Sequence, residues 1–175
     1  KFVELLLLHK ADPNRADGNG NTALHHAVRA KRLDLVELLL AHKATVNTRN
    51  RAGMAAVDYA AEVGDRAILA TLLAHGAEAD VRDGEGYTPL NTAAEHNQTE
   101  IVRLLLERGV TLDTQSHDKN CPLGWAATHG ATEIASLLLA RGASVDLRSE
   151  SNFTPLHYAA LSGQVEISRQ LLAKG

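Results

Sequence analysis

Gly86–Gly109 reads GYTPLNTAAEHNQTEIVRLLLERG. It holds a turn glycine, a threonine and proline in tandem, two short apolar segments and a closing glycine. Thr88 is followed 33 residues later by Cys121, and 33 after that by Thr154. Backwards, the same step lands on Ala55 and then Thr22. Five copies stand in register with no insertion or deletion. A fixed period of this size marks a repeat array in which each copy is one supersecondary unit.

The fuller units span 17–49, 50–82, 83–115, 116–148 and 149–175, after a partial unit over 1–16, all within one domain of 1–175. Each opens with a turn, such as Gly18-Asn19-Gly20 or Gly84-Glu85-Gly86, where glycine supplies a positive φ. Thr22, Thr88 and Thr154 are placed to accept a free N–H of a first helical turn. Pro89 and Pro155 suit the first helical position, where a missing N–H costs nothing. The first helix carries paired alanines (60–61, 93–94, 126–127, 159–160), small enough for neighbouring helices to approach closely. Gly64, Gly130 and Gly163, with Asn97 in the same role, end it. The second helix starts on an acid (Asp34, Glu100, Glu133, Glu166), complementing the helix dipole. Gly76, Gly109 and Gly142 stop it, and a short link leads on to the next turn as a hairpin-like extension. No unit can bury its leucine face alone, so stacking must supply the core.

Composition narrows the function. The 175 residues include 45% apolar residues and a net charge of −3, from 18 basic and 21 acidic side chains. That balance gives no nucleic-acid footprint and no polybasic membrane face. Apolar runs such as Leu5–Leu8 are far too short to span a bilayer. A single cysteine, Cys121, excludes an internal disulfide framework and fits a reducing, cytoplasmic or nuclear setting. The first residue is Lys1, and residues 2–16 align with the second half of a unit. A cut through a longer array is therefore expected, with the chain itself a monomer. Ser168, Arg169 and Gln170 make the last helix partly polar, as in a terminal cap.

The pattern resembles the ankyrin repeat family. Thr88-Pro89-Leu90 with Ala93-Ala94, Thr154-Pro155-Leu156-His157-Tyr158-Ala159-Ala160, and Leu137 through Asp146 carry the resemblance, at constant period over essentially the whole chain. It implies an all-α solenoid of stacked helix-turn-helix units with β-hairpin-like fingers. It also implies a non-catalytic protein-protein interaction module of scaffold type. Such a module binds a protein or peptide through the fingers and the concave first-helix face. Lys10 and Lys43 depart from it by replacing the stop glycine. Unit two, Met54-Ala55-Ala56-Val57-Asp58, lacks both capping threonine and proline and is expected to be the softest interior segment. Unit four has Cys121 and Gly124 where the family prefers threonine and histidine.

Helical spacing selects the concave column. It comprises His26, Arg29 and Ala30; Tyr59, Glu62 and Val63; Thr92, Glu95 and His96; Trp125, Thr128 and His129; Tyr158, Leu161 and Ser162. The finger residues before each cap are Asn21, Met54, Tyr87, Asn120 and Phe153. Of six aromatics (Phe2, Tyr59, Tyr87, Trp125, Phe153, Tyr158), five fall in these two columns. One reading is packing against the neighbouring finger; the other is partner contact, since aromatics are enriched at interface hot spots. The candidate contact residues are Met54, Tyr59, Tyr87, Glu95, His96, Trp125, His129, Phe153, Tyr158 and Leu161, centred on units three to five.

Other chemistry finds little support. His96 and His129 share a column but sit one unit apart, and packed helices lie about 8–10 Å apart, too far for one zinc ion. His25 and His157 suit a local structural hydrogen bond, and Cys121 suits a small buried filler better than a nucleophile. No cofactor is expected. Two alternatives to partner binding remain. One is a structural spacer that positions a catalytic or membrane domain elsewhere. The other is a methyl-lysine peptide reader, as in the ankyrin domains of certain histone lysine methyltransferases. The resemblance would assign that cage to Tyr87, Thr92, Glu95 and Trp125, and Thr92 breaks it.

Overall fold

The computed structural model describes the backbone of residues 2–175 and the side chains from Glu4 onward. Lys1 and the side chains of Phe2 and Val3, including one of the six aromatics, lie outside the described residues. Among the described residues eleven helices follow one another: α1 (Phe2–Leu8), α2 (Ala23–Arg29), α3 (Leu33–Ala41), α4 (Ala56–Val63), α5 (Arg66–Ala74), α6 (Pro89–Glu95), α7 (Thr99–Glu107), α8 (Pro122–His129), α9 (Thr132–Ala140), α10 (Pro155–Leu161) and α11 (Val165–Leu172).

The even-numbered helices α2 to α10 pack in one row, and α3 to α11 pack in a second row behind them. Alanines 60, 61, 93, 94, 126, 127 and 159 are wholly buried between first helices. The leucine face fills the space between rows, with Leu69, Leu72, Leu105 and Leu138 fully buried. Each such side chain contributes about 1.5–3 kcal/mol, and every one needs a neighbouring unit to do so.

No strand forms among the described residues. The first three fingers are instead tight turns, each built on one side chain. Asp17, Asn50 and Asp83 each accept two backbone N–H groups, two and four residues ahead, through Oδ1 at 2.8–3.0 Å. One backbone bond joins each finger to the next: Arg51 N–H to Asn19 O, Gly84 to Ala52, His117 to Glu85 and Glu150 to Asp118. This approach is tight enough to demand glycine: a Cβ on Gly53 would sit 2.5 Å from the Gly84 nitrogen. A second inter-unit ladder runs behind the fingers. Asn14, Asn47, Asp80 and Asp113 accept the N–H of Thr45, Glu78, Thr111 and Ser144, respectively.

The stop positions behave as their residue types require. Gly64, Gly76, Gly109, Gly130, Gly142 and Gly163 have positive φ, and so do Lys10 and Lys43 (both 66°) and Asn97 (54°). Lys31, at the first-helix stop of unit one, is left-handed too (52°).

The caps correct one expectation. Of the three cap threonines only Thr88 accepts a first-turn N–H, from Asn91 at 3.4 Å. The hydroxyls of Thr22 and Thr154 face an imidazole nitrogen, of His25 and His157, at 2.9 and 2.8 Å. What recurs is the reverse bond, in which the cap residue's own N–H is taken by a side chain. His25 Nδ1 serves Thr22 at 3.0 Å, Asp58 Oδ2 serves Ala55 at 2.8 Å, Asn91 Oδ1 serves Thr88 at 3.2 Å and His157 Nδ1 serves Thr154 at 3.2 Å. In unit four Gly124 has no side chain to offer, and Asn120 Oδ1 folds into its place and takes the Cys121 N–H at 3.0 Å. Five units thus solve one orphan-donor problem with three residue types.

Candidate functional site

The finger turns hold Met54, Tyr87 and Phe153 beside the first helices. Between units two and three lies a cleft of about 240 Å³. Glu62, Asp83, Glu85 and Glu95 line it together with Met54, Tyr87 and His96, and no lysine or arginine is among its lining residues. Thr92 closes the floor and is itself buried. Burial pushes the Tyr87 phenol pKa up, and the carboxylates of Glu95 and Asp118 push it further. The field at the cleft is therefore negative.

Two aromatic groups stand next to it. The Tyr87 ring lies 6.0 Å from Trp125, tilted by 33°, and Trp125 stacks on His129 at 5.8 Å. Farther along, Phe153 lies 5.5 Å from both His157 and Tyr158. Met54, Tyr87, Glu95, Trp125, Phe153 and Tyr158 are half-buried, while His96 and His129 are exposed. The structure thus brings Met54, Tyr87, Glu95 and His96 together around one cleft, with Trp125 and His129 against its Tyr87 wall. Phe153, Tyr158 and Leu161 belong to the end of the row, where Leu161 is 76% exposed.

Tyr59 departs from the expected contact column. It is buried, its hydroxyl accepts from Asn50 Nδ2 at 2.9 Å, and its ring meets His25 edge-on at 5.9 Å. The Arg29 guanidinium covers the remaining face, 5.4 Å from the ring centre. Tyr59 is a packing residue that ties its helix to its own finger.

Sequence reasoning passed over the cleft's finger acids, Asp83 and Glu85. Asp83 was legible only as a turn former, and Glu85 as a turn residue without a periodic signal.

The remaining candidates resolve locally. His25 is buried, and with Nδ1 accepting from Thr22 its proton sits on Nε2, which donates to Met54 O at 3.2 Å. Burial pushes its pKa down. Cys121 is buried, its Sγ accepts the Gly124 N–H at 3.4 Å, and burial pushes the thiol pKa up. A thiol so placed is held in its unreactive form. Among the described residues no three His, Cys, Asp or Glu side chains gather as a metal site, and no helix is long and apolar enough to cross a membrane.

A family profile described as ankyrin repeats, in three copies, matches residues 1–83, 59–116 and 110–175. The chain belongs to the ankyrin repeat family. Ankyrin repeats are in general protein–protein interaction modules, and the family is typically non-catalytic. No curated protein matches the chain. Within the ankyrin architecture the finger and concave positions vary from unit to unit here, whereas the paired alanines hold from unit two to unit five. The acidic cleft and its aromatic wall are thus built from the positions that the repeat leaves free.

Proposed function

We propose that this ankyrin array is a partner-binding module whose concave face takes an extended protein segment carrying a lysine or arginine next to an apolar side chain. The observation that carries this reading is the cleft between units two and three. Four carboxylates surround it, no cation neutralises it from within, and the half-buried Tyr87 forms its wall. A basic side chain entering it meets both charge and an aromatic face, and each attracts a cation. Trp125, on the far side of Tyr87, extends the apolar surface towards Phe153 and Tyr158 for the neighbouring residue. The fingers supply rigidity, because each is bonded to the next through its backbone.

The test is selection of binders from a random peptide display library, followed by amide-shift mapping of one binder on the full chain. Selected sequences should be enriched in Lys or Arg, and the shifts should cluster at Tyr87, Glu95, His96, Trp125 and His129. Failure to select any binder supports the structural-spacer reading instead. Shifts confined to the second-helix row would overturn the assignment of the concave face.

A further inference from the structure

In units one and three the residue three places into the first helix has two tasks. In unit one His25 accepts the Thr22 N–H on one ring nitrogen and donates from the other to the carbonyl of Met54, in the next unit. In unit three Asn91 accepts the Thr88 N–H on Oδ1 and donates from Nδ2 to the carbonyl of Thr114, at 3.2 Å. In both an acceptor faces the residue's own cap; the donor faces the next finger in unit one and the link that follows in unit three.

Asp58 occupies this position in unit two. It is 1% exposed, and Oδ2 accepts the Ala55 N–H at 2.8 Å. Oδ1 is buried and has no hydrogen-bond partner. An ionised carboxylate has acceptors only, so it performs the first task and fails the second. Val81 stands one period before Thr114, in the link that closes unit two. A buried charge beside an unpaired acceptor is costly on both counts. A single proton removes both costs.

We propose that Asp58 carries a proton on Oδ1 in the folded stack and donates it to a backbone carbonyl of the link that closes unit two, so that the packing of α4 against that link tightens in acid and loosens on deprotonation. Two charged groups act on it from the flanking fingers. The Asp83 carboxylate favours the proton and the Arg49 guanidinium opposes it, with burial the dominant influence. Burial outweighs the opposing bond from the Ala55 N–H, and the Asp58 pKa rises to about 7. Because the folded value is raised above the ordinary carboxylate value, the contribution to stability is fully present below about pH 4 and is lost as the pH rises through about 7. His25 runs in the opposite sense, since its lowered pKa makes its contribution fade as the pH falls. A substitution at Asp58 alone is therefore needed to separate the two. The inference is independent of any partner.

Two measurements on the intact chain test it. The side-chain carboxyl carbon of Asp58, followed by NMR, should titrate near neutrality; a midpoint below about pH 5 overturns the proposal. Asp58→Asn supplies the acceptor and the donor together, as Asn91 does one unit on. The unfolding constant of the wild type, relative to this variant, should rise on the order of 10- to 100-fold from pH 5 to pH 8. Parallel pH dependence of the two proteins would contradict the proposal. Should the variant fail to fold, the carboxyl titration decides alone.

Discussion

Tyr87 and Trp125 belong to different units, yet their rings pack with centroids 6.0 Å apart, one at a fingertip and one on the next first helix. The pair couples the two columns from which an ankyrin surface is made. It also leaves one group unserved, because Trp125 Nε1 is buried without a partner. An indole N–H can only donate.

Trp125→Phe keeps a ring against Tyr87 and His129 and removes the unpaired donor. Its stability should lie within about 1 kcal/mol of the wild type, because the lost area and the relieved desolvation offset one another. Trp125→Ala should cost about 2–4 kcal/mol. Urea midpoints of the two variants check the contrast.

Lys43 holds φ at 66° at the stop of α3, where Gly76, Gly109 and Gly142 stand in later units. Lys43→Gly should stabilise the chain by roughly 0.5–1 kcal/mol through relief of left-handed strain. Amide exchange in α3 and the following link would report it locally.

Gly53 has φ of 75°, and a Cβ there meets the backbone of the next finger at 2.5 Å. Gly53→Ala should cost about 2 kcal/mol or more, since both the dihedral and the inter-finger contact are violated. Gly18, whose added Cβ would meet nothing within 4 Å, supplies the control. Gly18→Ala should be within about 0.5 kcal/mol of the wild type in the same melt.

Among the first-helix caps Ala55 alone has neither hydroxyl nor thiol, and Asp58 beside it carries the unpaired oxygen. Thr22 and Thr88 occupy the equivalent buried site in other units. Ala55→Thr should add a hydroxyl donor for Asp58 and stabilise the chain by about 1 kcal/mol. It should also slow amide exchange in α4, the segment expected from sequence to be softest.

The period made the helix pairs, the alanine row and the glycine stops legible, because each depends on a residue type repeated at one position. Jobs that change hands were not legible. Asn120 covers for Gly124 from a different position, so no column of the repeat reveals it. Asn14, Asn47, Asp80 and Asp113 do repeat, but their role lies across the joint between units, where local patterns say nothing. Tyr59 shares a column with Trp125 and Tyr158, yet Asn50 and Arg29 close over it. Its fate was decided by neighbours in three dimensions. The acidic cleft likewise joins residues of two units, and no single unit contains it.

The most direct test of the partner-binding account is the affinity of one selected basic peptide for the wild type and for a Glu62→Gln, Glu95→Gln double variant, across a salt series. Neither carboxylate has a partner in the fold that the change would break, so the melt of the variant should match the wild type. The account predicts binding roughly three- to tenfold weaker in the variant and a shallower fall with added salt. Equal affinity and equal salt dependence in the two proteins would contradict it.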